Sequence, residues 1–187
     1  MCVSRRTCYN DIVTQGIQSP PPPIAAPAAD IEEKGMMTMA APKIRIVLVS
    51  HGEQCTGMLN TVQLLLGPQE NIAAYCLYPE STVEDYAKQL REEVERYGAE
   101  NIVFLSELKQ GSPFNALVDM TRDYDLYHLT GTNLAMLMTI VMERDDEGAT
   151  PESVCAAAME TAAESIYDVR KLLRESSGDE EEEEEDL

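Results

Sequence analysis

Apolar and polar positions along this chain alternate between two periods. Residues 44–49, Ile-Arg-Ile-Val-Leu-Val, form a short β-branched run of the kind that becomes a strand buried on both faces. Leu59, Val62, Leu65 and Leu66 then recur at helical spacing until Gly67 and Pro68 end the segment. Residues 72–78 read as a second strand. Ser81 and Glu84 have the spacing of a capping box, and Val83, Ala87, Leu90, Val94 and Tyr97 form the inner stripe of the helix behind it, closed by Gly98. A third strand is predicted over 102–105 and a fourth over 126–129, with a short helix-compatible stretch, 113–121, between them. Leu134, Leu137, Met138 and Val141 mark a further helix after Asn133. The last helix starts from Thr150 as N-cap and Pro151 in its first turn. Its predicted buried stripe is Cys155, Met159, Ala162, Ile166, Val169 and Leu173, with Arg170, Lys171 and Arg174 near the end that the helix dipole makes favourable for cations.

Strands alternating with helices predict an α/β fold, a mostly parallel open sheet of about four strands with helices on both faces. No internal repeat is visible, and the elements define a single domain over 39–175. Residues 1–38 show no sustained period and are rich in Pro and Ala, the composition of an extended, solvated segment. They read as a disordered leader or, because Met36, Met37 and Met39 stand just before the first strand, as a preface to a later translation start. At the other end, residues 176–187 carry an acidic run that repels itself and is expected to stay unfolded.

Charge narrows the partners. The 187 residues hold 34 Asp and Glu against 14 Lys and Arg, a net charge of −20. Eight of these acids lie in 179–186 and four precede Met39, leaving the central stretch 22 acids against 11 bases. Such a surface repels phosphate backbones, so nucleic-acid binding through a basic face is excluded, and attraction of a basic partner is favoured instead. No apolar run approaches the roughly 20 residues that cross a bilayer. Arg5 and Arg6 are followed by Asp11, Gln15, Gln18 and prolines rather than the apolar stretch of a signal peptide. Cys2, Cys8, Cys55, Cys76 and Cys155 are odd in number and form no CxxC pair, which suits a reducing cytosol and argues against disulfides and zinc.

Ligands of an open parallel sheet bind beyond the carboxyl ends of its strands. The first strand delivers Ser50-His51-Gly52 there. The third delivers Ser106 and Glu107, then a loop and Gly111-Ser112-Pro113-Phe114-Asn115 opening a helix; the fourth delivers Gly131-Thr132-Asn133. These parts suit phosphoryl transfer. A neutral imidazole is nucleophilic near neutral pH, a carboxylate such as Glu107 can orient it through the other ring nitrogen, and amides after Gly111 with the Ser112 hydroxyl can hold phosphoryl oxygens. Each part also has a plainer reading: a structural histidine, a solvated acid, a turn before a helix. On spacing alone the two readings stand level. No GxxxxGK[ST] loop is present, which disfavours P-loop nucleotide hydrolysis. His128 reads as a core or edge histidine, and Met136, Met138 and Met142 as packing filler for the core or a dimer interface. Cys55 could be redox-sensitive by position, but nothing near it in sequence supplies a cation to lower its pKa.

The sequence resembles the mannose-family EIIA component of the bacterial phosphoenolpyruvate:sugar phosphotransferase system. The resemblance rests on Ser50-His51-Gly52, Leu65-Leu66-Gly67 before Glu70-Asn71, Gly111-Ser112-Pro113-Phe114-Asn115, Gly131-Thr132-Asn133 and Met142-Glu143-Arg144-Asp145-Asp146, and it runs from about Ile44 to Leu173. It implies a cytoplasmic, homodimeric phosphocarrier without metal or cofactor. Such a carrier takes a phosphoryl group from the carrier HPr onto His51 and passes it to an EIIB component, which serves the membrane sugar permease. Glu107 falls on the family's imidazole-partnering aspartate, and Gly111 and Ser112 on its phosphoryl-binding turn. Three positions depart from the pattern: Glu107 itself, Gln110 in place of a glycine, and Ala135 in place of a proline. No strand is legible after Leu173, where family dimers exchange an edge strand. The alternatives are the phosphoryl-donor subunit of a phosphotransferase-dependent dihydroxyacetone kinase, a regulatory binding protein with weak transfer, and a flavodoxin-like nucleotide or flavin binder. The Gly-Ser-Pro-Phe-Asn block favours the sugar branch over the first, and the missing Gly-rich loop disfavours the last.

Overall fold

The computed structural model describes residues 44–177, and the predicted leader 1–38 and most of the predicted tail, 178–187, lie outside the described residues. Four strands, β1 (Arg45–His51), β2 (Ile72–Leu77), β3 (Ile102–Ser106) and β4 (Tyr127–Thr130), form one all-parallel sheet in the order β2-β1-β3-β4. Among the described residues six α-helices accompany it: α1 (Gln54–Leu66), α2 (Val83–Tyr97), α3 (Ser112–Met120), α4 (Leu134–Glu143), α5 (Pro151–Glu164) and α6 (Val169–Ser177).

The two-residue alternation of β1 divides the core. Ile44, Ile46 and Leu48 face a layer built from α1, α4 and α5, with Val62, Leu137, Ile140 and Ala158 fully buried against them. Val47 and Val49 face the opposite layer, where Leu90 and Val94 of α2 and Leu117 and Met120 of α3 cover Phe104. Helices therefore lie on both faces, as the alternating pattern predicts, and the middles of β1 and β3, Ile46–Val49 and Ile102–Leu105, are apolar because both of their faces are covered.

Some local expectations shift. The N-cap of α2 is Thr82, whose hydroxyl accepts from the Asp85 amide at 3.0 Å, rather than Ser81. Two cap-like pairs, Ser81/Glu84 and Thr82/Asp85, stand one residue apart, and the second is used. The inner face of α2 includes Tyr86, whose hydroxyl donates to the Tyr75 carbonyl oxygen at 2.9 Å, while Val83 is exposed. Leu65 is likewise exposed at the end of α1. In α4, Met136 is buried and Met138 packs against the core, but Met142 is exposed.

The largest correction concerns the last helix. Thr150 caps it as predicted, forming a reciprocal pair with Ser153. It stops at Glu164, however, and a separate helix, α6, begins at Val169. Asp168 is the cause: its carboxylate accepts from the Arg170 amide at 2.9 Å and the Lys171 amide at 3.4 Å, so it starts a new helix instead of continuing the old one. The predicted stripe survives in Cys155 and Ala162, whereas Met159, Ile166, Val169 and Leu173 are exposed. α6 runs two residues past the predicted domain end at Glu175.

One polar cluster is built into the core. Arg45, at the start of β1, makes a forked pair with Glu93 of α2, Nε to Oε2 at 2.9 Å and Nη2 to Oε1 at 3.0 Å. Tyr75 donates its hydroxyl to Glu93 Oε1 at 2.6 Å, and the guanidinium lies 4.5 Å from the Tyr97 ring centroid. The paired side chains are only 11% and 6% exposed, so each ion depends on the other. Replacing Glu93 with Ala leaves Arg45 buried and unpaired. We expect a loss of about 3–5 kcal/mol in chemical denaturation, and a loss below about 1 kcal/mol would show that the pair is not what secures α2 to the sheet.

Candidate functional site

Sheet order decides what meets at the rim. β1 runs between β2 and β3, with Val49 in register with Ser106, so the chain leaves both central strands side by side at their carboxyl ends. His51 and Glu107, 56 residues apart in sequence, therefore become neighbours. One carboxylate oxygen of Glu107, Oε1, accepts from the His51 backbone amide at 2.8 Å and also contacts the ring nitrogen Nδ1. The imidazole is 46% exposed and the carboxylate 19%. A carboxylate can only accept, so the contact favours the tautomer with the proton on Nδ1 and the free lone pair on Nε2. The longer side chain of glutamate thus reaches the ring.

The third part is the turn into α3. Gly111 has an ordinary φ of −72°, yet a Cβ on it would stand 2.9 Å from His51 Cε1 and 3.3 Å from the Leu108 carbonyl oxygen. The backbone would accept a side chain there, but only if the imidazole moved away. Gln110 before it has φ 67°, the left-handed region that glycine occupies without strain, so the glutamine that departs from the family pattern is strained here. The Asn115 side-chain amide donates to the Gln110 carbonyl oxygen at 3.3 Å and helps to hold the turn. Ser112 opens α3, where the first-turn amides have no intrahelical acceptor. The structure therefore brings His51, Glu107, Gly111 and Ser112 to one rim.

A supporting layer lies below them. Buried Ser106 shares a hydrogen bond of 2.8 Å with Nε2 of His128 on β4, and the His128 ring lies 5.2 Å from that of Phe114. Phe114 thereby ties the start of α3 to the edge strand. Thr132 donates its amide (3.1 Å) and hydroxyl (2.7 Å) to the Ser106 carbonyl oxygen, and Asn133 caps α4 by accepting from the Met136 amide. Gly131 makes this turn possible with φ 80°. Burial pushes His128 down to about 4, so it is a neutral structural side chain, in keeping with its reading as a core or edge histidine.

Sequence reasoning missed one feature. Cys55, in the first turn of α1, and Cys76, near the end of β2, have their Sγ atoms 3.2 Å apart. The signal was present in the pairing of β1 with β2, which sets Ser50 beside Cys76. Among the described residues there is no group of three or more His, Cys, Asp or Glu that could hold a metal ion, and no helix long and apolar enough to cross a membrane.

The chain is similar in sequence and fold to known proteins. The EIIA-man family, described as the PTS system fructose IIA component, matches residues 45–159. Over 128 residues the chain is 35% identical to the PTS system mannose-specific EIIAB component of Escherichia coli strain K12, a match covering 66% of this chain and 38% of that protein. The chain thus spans well under half the length of the curated relatives it matches. The crystal structure of phosphotransferase system component EIIA from Streptococcus agalactiae superposes with a TM-score of 0.61 at 27% identity, covering 68% of this chain and 98% of that one. The mannose/sorbose-specific IIA subunit from Enterococcus faecalis shares the fold with a TM-score of 0.59 at 21% identity, covering 67% and 94%.

Two outcomes follow from this geometry. In Gly111→Ala the new methyl displaces the imidazole from Glu107; the Nδ1–H resonance of His51 should lose its downfield position while stability changes by less than about 1 kcal/mol. An unchanged imidazole spectrum would refute the close approach. For His128, the unfolded chain takes up a proton below roughly pH 6.5 while the folded protein resists until about 4. His128 therefore favours the folded state fully above that range and progressively less as pH falls through it, by about 3 kcal/mol at most. Denaturation of His128→Gln across this window should show a flatter pH dependence than the native chain.

Proposed function

The chain belongs to the EIIA-man family of sugar phosphotransferase-system components, and from that premise we propose that it is a cytoplasmic phosphocarrier. His51 accepts a phosphoryl group from the phosphohistidine of HPr and passes it to an EIIB component, which serves uptake and phosphorylation of a sugar by the membrane permease. The observation that carries this reading is the contact of Glu107 Oε1 with Nδ1 of His51. With the proton on Nδ1, Nε2 is the nucleophile, on a ring that is 46% exposed and so open to a partner's phosphohistidine.

In this reaction the Nε2 lone pair forms a bond to phosphorus as the donor's P–N bond breaks. The donor imidazole leaves with that electron pair, and no proton need move. His51 acquires positive charge as the bond forms, and the carboxylate of Glu107 stabilises it through the Nδ1–H bond. The Ser112 hydroxyl and the first-turn amides of α3 receive the phosphoryl oxygens. Gly111 keeps the ring close enough to α3 for both to act on one group. Transfer onward to EIIB reverses the same steps.

The acidic balance of 22 acids against 11 bases over 39–175 suits docking to a basic face on HPr and speeds encounter more than it raises affinity. A homodimer is part of the proposal: the exposed apolar residues of α6 and Met142 offer area for a second copy. The rival reading, a binding protein with weak transfer, rests on the positive φ of Gln110.

Intact-mass spectrometry after incubation with phosphoenolpyruvate, enzyme I and HPr decides between them. We expect one added phosphate, stable in alkali, lost in acid, and absent in His51→Ala with its circular dichroism unchanged. An unmodified chain beside phosphorylated HPr would favour the binding protein, and phosphate retained in His51→Ala would move the site elsewhere.

A further inference from the structure

Cys55 and Cys76 are not used by the proposed transfer, yet they flank its histidine. Cys55 lies four residues beyond His51, and its amide donates to Ser50 Oγ at 2.9 Å. That hydroxyl in turn donates to the Gly52 carbonyl oxygen at 3.4 Å, and the Gly52 amide donates to the Leu77 carbonyl oxygen at 3.0 Å. The residues on both sides of His51 are therefore tied to the two cysteine-bearing segments. The thiols are 3.2 Å apart, within roughly 1 Å of the distance of a covalent S–S bond. Cys55 is buried and Cys76 is partly open.

We propose that Cys55 and Cys76 form a peroxide-oxidised disulfide, a modification site that slows phosphoryl acceptance at His51. The more open Cys76 is the attacking thiol. The hydrogen bond from Cys55, helped by the hydroxyls of Thr56 and Tyr78, lowers it to about 6 against its partial burial, while the same bond and burial push Cys55 up. The Cys76 thiolate takes one oxygen of a hydroperoxide; the O–O bond breaks, Cys76 becomes a sulfenic acid, and the leaving hydroxide is protonated to water. The Cys55 sulfur then attacks the Cys76 sulfur. The S–O bond breaks, hydroxide leaves with the Cys55 proton as water, and the S–S bond forms. Two thiols and one peroxide give one disulfide and two waters. Closing the pair draws the first turn of α1 toward β2, and through Ser50 and Gly52 it displaces the His51 backbone from Glu107. A displacement on the order of 1 Å in a reacting group suffices to slow transfer tenfold or more.

The disulfide stands on its own geometry, and its effect on rate rests on the phosphocarrier reading. Full-length chain carrying Cys2→Ser and Cys8→Ser is treated with stoichiometric hydrogen peroxide and digested without reduction. The expected product is a Cys55–Cys76 linked peptide with the loss of two hydrogens, reversed by dithiothreitol. Cys55→Ser should instead accumulate a sulfenic acid on Cys76, trapped by dimedone. Linkage through Cys155, or no linkage, would overturn the site. Acceptance from phosphorylated HPr is then timed: at least a tenfold loss on oxidation, recovered on reduction and absent in Cys76→Ser, is expected. An oxidised, correctly linked chain that accepts phosphate at the reduced rate would overturn the regulatory role. Failure of the reduced chain to accept phosphate at all would count against the phosphocarrier reading, with the peptide map still deciding the disulfide.

Discussion

A single carboxylate oxygen, Glu107 Oε1, holds both the backbone amide and the ring of His51. Everything else at the rim is arranged around that double contact. It can exist only because β1 and β3 are adjacent and parallel, so that two loops leave the sheet at one level. The order β2-β1-β3-β4 has its switch point between these strands, since the connections from β1 and β3 lead to opposite edges of the sheet. Such a switch point is where open parallel sheets place their ligands, and the imidazole stands there. The close approach at Gly111 follows from the same constraint: a ring held back against Glu107 lies beside the start of α3, and a side chain at Gly111 would have to push it away.

Most of this frame was legible in the pattern of residues. The apolar runs at the four strands are strong signals because both faces of a parallel sheet are covered, and Thr150 caps its helix where its position predicts. His51, Glu107, Gly111 and Ser112 could be placed on one rim because strand ends converge in such a sheet. Features that depend on pairing across the sheet could not be read from local pattern. Glu93 looks like any charged residue on a surface helix until Arg45 and Tyr75 are known to face it. Cys55 and Cys76 look isolated until the register of β1 and β2 brings Ser50 beside Cys76. The break before α6 was hidden for a different reason. The apolar spacing continues in phase across it, and only the capping chemistry of Asp168 distinguishes two helices from one.

Polar groups mark opposite ends of β1 and have opposite consequences. At its start, Arg45 is buried in a forked pair with Glu93, supported by Tyr75 and Tyr97. At its end, roughly 20 Å away for a seven-residue strand, His51 is nearly half exposed and held chiefly by one carboxylate. The buried pair restricts one geometry, because either ion alone would be costly in the core. The exposed contact permits small movement, because water can satisfy whatever Glu107 releases. The proposed transfer between two partner proteins would need the second condition, and the sheet can supply it because the first is met at the far end.

The same reasoning separates the two departures at the turn. Glu107 differs from an aspartate by one methylene, and its flexible chain absorbs the difference while keeping both contacts. Gln110 has no such freedom. Its φ of 67° is imposed by the turn that ends at Gly111, where the Gly111 amide donates to the Leu108 carbonyl oxygen at 3.2 Å. Strain at a single left-handed residue is on the order of 1 kcal/mol, small against the whole fold but concentrated in the loop beside His51. A glycine there would relieve the strain and also widen the conformations open to the turn. The glutamine narrows them, and with Asn115 bonded to its carbonyl oxygen it holds α3 in one position relative to His51. The departure that costs stability therefore also orders the site, so its effect on transfer need not have the same sign as its effect on folding.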